Sequence, residues 1–427
     1  MKKIIAALAA LTLSMSAMAQ NAMDEASKMY PGWNLGNTME ACPCNWLSNE
    51  LDWETGWQST KTTQEIINYV KAQGFKSVRI PVAWYMHADA NHNISEKWMN
   101  RVQEIVDYCM NADLYVVMND HWDNGWVENS FGDLSSTTIK KNCETMNKLW
   151  TQIANRFKDY DKRLIFAGLN EPAVDNADKM KALVQYEQAF IDAVRATGGN
   201  NSNRILVVQG PATDIDKTST LFTTLPVDKA ENKLMVEVHF YSPWNFCGMD
   251  KDESWGNRFF YWGKENYVSG SKHNATWGEE SYVAEEMQKM KAKYTEKGIP
   301  VIIGEYGCTW LSSVPSGENQ DKHNASVSLW YATVTKEAIN NGCVPFVWDT
   351  GNILERATKS EKCPYAMTGI INGANAAKWP YQVSAIEKVK EKAAAKSSGT
   401  AYNLNGTKVG EGYKGVTIVN GKKIAVR

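Results

Sequence analysis

The chain has no surplus of either charge: 46 Lys and Arg stand against 48 Asp and Glu, a formal net charge of -2. That balance offers no basic face for a phosphate backbone, so a nucleic-acid partner is not expected. Histidine is scarce, at six residues. No CxxC pair accompanies the tight Cys42-Pro43-Cys44 element, which argues against a structural zinc site. No Gly-rich phosphate loop follows a strand, so a nucleotide cofactor has no anchor. No apolar run after the N-terminus reaches the roughly 20 residues of a membrane span.

The one long apolar run opens the chain. Lys2 and Lys3 precede Ile4 to about Met15, and Ser16-Ala17-Met18-Ala19 follows. A charged start, an apolar centre and a small-x-small end form a secretory signal, with cleavage expected after Ala19. The mature chain should therefore be exported, either free or on the cell surface. Export permits disulfides, but the 8 cysteines allow too many pairings for the sequence to choose among them.

What is abundant is aromatic: 17 Trp and 18 Tyr. Most can be core, and the remainder suit stacking on flat ligand faces. Apolar stretches of strand length alternate with helical patterns. The strand candidates end near Asn34, Pro81, Asn119, Asn170, Gln209, His239, Glu305 and Trp348. Helices are predicted from Thr62 to Gln73, after a Ser95 cap, and over 141–157, 179–196, 279–297, 324–340 and 381–394. Eight strands alternating with helices predict a (β/α)8 barrel with long loops at the C-terminal strand ends, over residues 20–395. A doubly wound sheet is the competing architecture. Residues 396–427 read as a linker and a short β-rich tail, with hairpin signals at Asn405-Gly406 and Asn420-Gly421. That tail resembles a short form of the C-terminal sorting signals of type IX secretion.

In a barrel of this kind chemistry sits at the C-terminal strand tips. Two apolar strands run into glutamates there, in Leu169-Asn170-Glu171-Pro172 and in Ile303-Gly304-Glu305-Tyr306. Two carboxyls across a barrel mouth suit glycoside hydrolysis, one as proton donor and one as attacker. Their placement on strands four and seven predicts carboxyls about 5–5.5 Å apart and hence retention of configuration. Glu171 is then the acid/base, protonated part of the time, and Glu305 the nucleophile, kept ionised by Arg79. A metal-dependent barrel using His121, Asp123 and His239 is one alternative. A non-catalytic glycan-binding barrel is another, but it needs neither glutamate.

Seven segments in order, from Gly32-Trp33-Asn34-Leu35-Gly36-Asn37-Thr38 to Phe346-Val347-Trp348-Asp349, resemble glycoside hydrolase family 5, in particular its endo-β-1,4-glucanases. The others are Ser77 to Pro81, Asn119 to Trp126, Leu169 to Pro172, Val238 to Phe246 and Pro300 to Gly307. The resemblance runs from about Ala22 to about Lys392. It implies the two glutamate roles, a nucleophile bonded by Arg79 and Tyr241, and Asn170 on a sugar 2-hydroxyl. It places His239 beside the acid/base, and His121 and Trp348 in the subsite before the cleaved bond. Asn37, Trp122 and Trp244 join the substrate-binding set, with Trp46, Trp84, Trp126, Trp262 and Trp310 as further candidate platforms. Trp122 stands where relatives often have a second His, and Val347 where they often have Trp, so polymer preference among glucan, xyloglucan, xylan and mannan stays open. The expected partner is a β-glucan polysaccharide, with no cofactor and no metal, and the expected state is a monomer.

Overall fold

The computed structural model describes residues 21–381, together with four backbone strands between residues 401 and 426. The signal segment and most of the helix expected over 381–394 lie outside the described residues. Two compact units divide the chain, Met1–Pro380 and Tyr381–Arg427.

The first unit is a closed eight-stranded parallel barrel in sequential order. Its strands are β1 (Gly32–Asn34), β2 (Ser77–Ile80), β3 (Tyr115–Asn119), β4 (Leu164–Ala167), β5 (Leu206–Gln209), β6 (Leu234–Phe240), β7 (Val301–Tyr306) and β8 (Cys343–Val347). Every predicted strand is present. Among the described residues the α-helices are α1 (Ala22–Ala26), α2 (Gln64–Ala72), α3 (Glu96–Asn111), α4 (Ser136–Arg156), α5 (Ala177–Ala196), α6 (Ile215–Leu221), α7 (Trp244–Cys247), α8 (Glu280–Lys293), α9 (Gln320–Asn340) and α10 (Pro364–Ala376). Ser95 does precede α3, but its hydroxyl donates to Glu50 Oε1 at 2.8 Å instead of capping the helix.

The helix that completes the eighth βα unit is α10, over a stretch for which the sequence pattern predicts no helix. Gly369 and Gly373 each mark a close helix contact. A Cβ at Gly369 would lie 2.4 Å from the Ser328 carbonyl, and one at Gly373 2.5 Å from the Ala332 carbonyl, both on α9. The helix gives up intrinsic propensity there, about 1 kcal/mol per glycine, to bring the two backbones together.

Side chains alternate across each strand. Val117, Ile165, Val207, Met235, Ile302 and Val344 fill the barrel interior with α1 against them, while Val116, Phe166, Val208, Val236 and Ile303 belong to the layer between strands and helices. Two residues further along β5 and β6 the inward positions become Gln209 and Glu237, then His239 on β6. An apolar plug thus carries a polar layer above it, toward the strand tips.

β7 breaks the alternation. Val238 pairs with Ile303, but His239 pairs with Glu305, so Gly304 is an extra residue in β7. By strict alternation from Ile302 inward, Glu305 would face the helices. The bulge turns it inward. Only glycine fits at the extra position, because a Cβ there would sit 1.8 Å from Glu237 Oε1. The Asn34 amide donates to the Gly304 carbonyl at 2.8 Å and holds the bulge from β1.

In the second unit β11 (Ala401–Asn403), β12 (Lys408–Val409), β13 (Gly415–Val419) and β14 (Lys422–Val426) form an antiparallel sheet in the order β12-β11-β13-β14. Val419 pairs with Lys422, and the hairpin signals at Asn405-Gly406 and Asn420-Gly421 lie outside the described residues. The remaining pair, β9 (Leu354–Glu355) and β10 (Ser360–Glu361), is a small ribbon after β8.

Candidate active site

Glu171 follows the tip of β4, where Pro172 prevents continuation of the ladder. Its side chain is 49% exposed, whereas that of Glu305 is 8% exposed. An oxygen of each, with a ring nitrogen of His239, lies within 4.8 Å of the other two. Two glutamates separated by 134 positions in the chain thus face one another across the mouth.

Arg79 is fully buried on β2 and organises the floor. Its Nη1 donates to Glu305 Oε1 at 3.0 Å and to Asn34 Oδ1 at 3.0 Å. Its Nη2 donates to Asn170 Oδ1 at 2.8 Å. Its Nε lies 3.0 Å from Glu237 Oε1, an ion pair too bent to count as a hydrogen bond. Burial by itself would weaken the guanidinium's hold on its proton, but Glu237 and Glu305 outweigh it and the group is held charged. The Tyr241 hydroxyl donates to the second oxygen of Glu305 at 2.9 Å. Burial, then the Glu305 carboxylate, push its titration far above the usual phenol range, so it remains a donor.

His239 sits among three carboxylates. Nδ1 is 2.7 Å from Glu171 Oε1 and 3.8 Å from Glu305 Oε2, and Nε2 is 3.3 Å from Glu237 Oε1. Burial disfavours the cation, but Glu305, Glu171 and Glu237 together raise its pKa to about 10. Glu171 moves the other way. Burial raises its pKa, yet the His239 hydrogen bond and charge exceed that effect and leave it below the usual carboxylate range. The sequence expects Glu171 to be protonated part of the time; in the free site the His239 contact favours its ionised form. In the free site the surroundings thus favour a protonated His239 beside an ionised Glu171, 2.7 Å apart.

The apolar side of the mouth holds His121 and Trp348, stacked at 5.7 Å between centroids and 5° between planes. Burial first, then the Arg79 and His239 charges, keep His121 neutral. Its Nδ1 is 3.3 Å from Asn119 Nδ2. Asp349 anchors the chain just past Trp348, accepting Trp33 Nε1 at 2.8 Å and the Ile353 N–H at 2.9 Å.

Arg79, Asn170, Glu171, His239, Tyr241 and Glu305 therefore form one network. Asn37, Trp122 and Trp244 lie outside it. Asn37 is half-buried with φ 55° and donates its N–H to Glu40, while Trp122 and Trp244 are exposed. Two proposed platforms are corrected: Trp84 and Trp262 are fully buried, their Nε1 atoms spent on the carbonyls of Asn119 and Gly278. These rings fill core between strands and helices, and their flanking residues carried no mark of that. Trp126 and Trp310 are half-buried, and Trp46 is exposed. Asp123, considered above as a metal ligand, instead accepts backbone N–H groups of Trp84, Tyr85 and Met86.

Sequence reasoning missed Asn34, Gln209 and Glu237. The signal existed for Glu237: in Leu234 to Phe240 it shares the inward parity of His239, and a charge inside a buried strand needs a partner. As to a cation, Glu171, His239 and Glu305 are the trio close enough to grip one among the described residues, and their facing atoms are taken up by hydrogen bonds to each other, Arg79 and Tyr241.

Comparison with known proteins agrees with this geometry. The model of the cellulase family, glycosyl hydrolase family 5, matches residues 38–353. Endoglucanase A of Paenibacillus barcinonensis is 34% identical over 76% of this chain and 81% of its own. The xyloglucan-specific endo-β-1,4-glucanase BoGH5A of Bacteroides ovatus is 33% identical over 83% and 70% respectively. Among solved structures, a xyloglucan-specific β-1,4-glucanase from a ruminal metagenomic library, in complex with XXLG, superposes with a TM-score of 0.78 at 46% identity, covering 85% of this chain and 98% of that one.

Proposed function

This chain belongs to the cellulases of glycosyl hydrolase family 5, and we propose that it cleaves β-1,4-glucans within the chain, by double displacement with retention of configuration. One observation carries the stereochemistry: oxygens of Glu171 and Glu305 lie within 4.8 Å of each other. Inverting hydrolases hold their carboxyls about 6.5–9.5 Å apart to admit a water, and retaining ones about 5–5.5 Å apart.

In the first step Glu305 attacks the anomeric carbon while the leaving oxygen takes a proton from Glu171. The bond to that oxygen breaks as the ester to Glu305 forms. His239 supplies Glu171 with that proton across their 2.7 Å contact. In the second step Glu171 accepts a proton from water, which attacks the same carbon and frees Glu305, and that proton returns from Glu171 to His239 across the same contact, restoring the starting state. Arg79 and Tyr241 hold the attacking carboxylate in place through both its oxygens. The stacked pair of His121 and Trp348 provides the face for the sugar on the glycone side.

A pocket of about 220 Å³ favours a finer reading. It touches Glu171 but neither Glu305 nor Trp348, so it lies on the leaving-group side. Thr213, Asp214, Asp216, Tyr282 and Glu286 line it with hydroxyls and carboxylates, the groups that recognise sugar hydroxyls. With two xyloglucan-specific relatives, it supports a substrate whose main chain carries sugar branches. Hydrolysis of carboxymethylcellulose, mixed-linkage glucan, xyloglucan, xylan and mannan, with the anomer followed by NMR, tests both levels. The β-anomer should appear first, with xyloglucan at least as good a substrate as the unbranched glucans. A first-formed α-anomer would overturn the mechanism, and activity confined to xylan or mannan would overturn the substrate.

A polymer of this kind is met outside the cell, which supports reading residues 1–19 as a secretory signal. Among the described residues no helix is long and apolar enough to cross a membrane. Protein recovered from spent medium should begin at Gln20; an intact Met1 there would refute the export reading. The catalytic network is complete within one chain, in keeping with a monomer.

A further inference from the structure

Glu237 lies beneath the two facing glutamates and touches none of the space a sugar would fill. It is fully buried on β6. One of its oxygens, Oε1, meets both basic side chains of the site's floor, Arg79 Nε at 3.0 Å and His239 Nε2 at 3.3 Å. The other, Oε2, accepts from Gln209 Nε2 at 2.6 Å. Gln209 in turn accepts the Leu169 N–H at 2.8 Å, two residues before Glu171, and its own N–H donates to Glu187 Oε1 at 2.7 Å. Gly304 leaves the space that Glu237 occupies, and a Cβ there would collide with it.

A carboxylate is costly to bury without partners, and breaking a buried pair on one side leaves the other charge uncompensated. If Glu237 only balanced Arg79, the Glu305 contact would already serve. Its distinct effect is on direction. It grips His239 from the ring nitrogen opposite Glu171, and grips Arg79 from Nε while the Nη atoms reach Glu305 and Asn170.

We propose that Glu237 is a positioning residue for this reaction, the proposed hydrolysis: a single buried carboxylate that aims His239 at the acid/base and Arg79 at the nucleophile. It thereby sets the protonated state of the His239–Glu171 pair before substrate enters. The groups facing His239 are Glu171 beyond β4, Glu237 on its own strand, Glu305 on β7, and the more distant Arg79 and His121. Three are anionic, so loss of one must weaken the imidazolium. The pair's proton is the one delivered to the leaving oxygen, and its loss forms the alkaline limb of the pH profile. Removing the Glu237 charge therefore moves that limb to lower pH.

The test is Glu237→Gln, which keeps the shape and an acceptor for Gln209, measured on a β-1,4-glucan oligosaccharide. The expected result is kcat lower by about 100-fold, within the range for impaired proton transfer, KM within about threefold, and the alkaline limb of kcat/KM at least one pH unit lower. Glu237→Asp, charged but shorter, should restore most of the limb position and only part of kcat. A folded Glu237→Gln enzyme with unmoved limb and kcat overturns the proposal. Should the variants fail to fold, NMR of 15N-histidine-labelled wild-type enzyme decides. Both His239 nitrogens protonated at pH 7 support the proposal, and an unprotonated Nε2 overturns it. Failure of the hydrolase reading itself would show separately, as wild-type enzyme inactive on every polymer.

Discussion

Glu305→Gln should reduce kcat on β-1,4-glucan by about 10⁴-fold or more, the scale seen when a nucleophile is removed. The amide matches the carboxylate in shape but cannot attack carbon. Arg79 and Tyr241 can still reach its oxygen, so the fold and KM should change little. A smaller variant gives a sharper check. Glu305→Gly opens the space below the anomeric carbon, and added azide should fill it. With an activated fluoride as leaving group, azide displaces fluoride from that side and the product has inverted configuration. Retained configuration, or near wild-type turnover in Glu305→Gln, would remove Glu305 from the role.

Glu171→Gln should show a loss that depends on the leaving group. Departure of a sugar hydroxyl needs a proton, so hydrolysis of oligosaccharides should fall by about 10²–10⁴-fold, the usual worth of a general acid. An aryl glycoside with an acidic phenol departs without help, so its first step should run near the normal rate. The second step still lacks a base for water. The enzyme should then release one equivalent of phenol per site in a burst and stall as the glycosyl ester, visible by intact mass. Equal losses on both substrates would show that Glu171 does not transfer the proton. The variant also bears on His239. With the Glu171 charge gone, the imidazolium loses its nearest partner, at 2.7 Å, and its pKa should fall from about 10. Stability linked to that charge is present at low pH and is lost as pH rises through the lowered value.

Much of this was legible in the chain itself. Eight apolar runs ending in polar tips describe a barrel because buried parallel strands are uniformly apolar, and the tips of strands four and seven carried the glutamates. The pair His121 and Trp348 came from the family resemblance, and the structure stacks them face to face. Less was legible where tertiary contact overrides local signal. The helix α10 was not predicted, and its Gly369 and Gly373 gain their role only from α9 packed against them. Trp84 and Trp262 have the same local look as the exposed Trp244, because burial depends on what the rest of the chain places over a ring. The lowered Glu171 was not readable either. A carboxyl at a strand tip gives no hint that an imidazole from β6, 68 residues later, will lie 2.7 Å away.

Sequence alone determined the repeating architecture, the two carboxyls and the arginine, since these rest on residue type and on spacing along single strands. Only the folded barrel decided which way those groups point and which of them the surroundings favour in the charged form. The reason lies in one inserted residue. Strand side chains alternate, so Gly304 as an extra position carries Glu305 from the helix side to the interior, and whether the ladder opens there depends on Glu237 and Asn34 reaching it from two other strands.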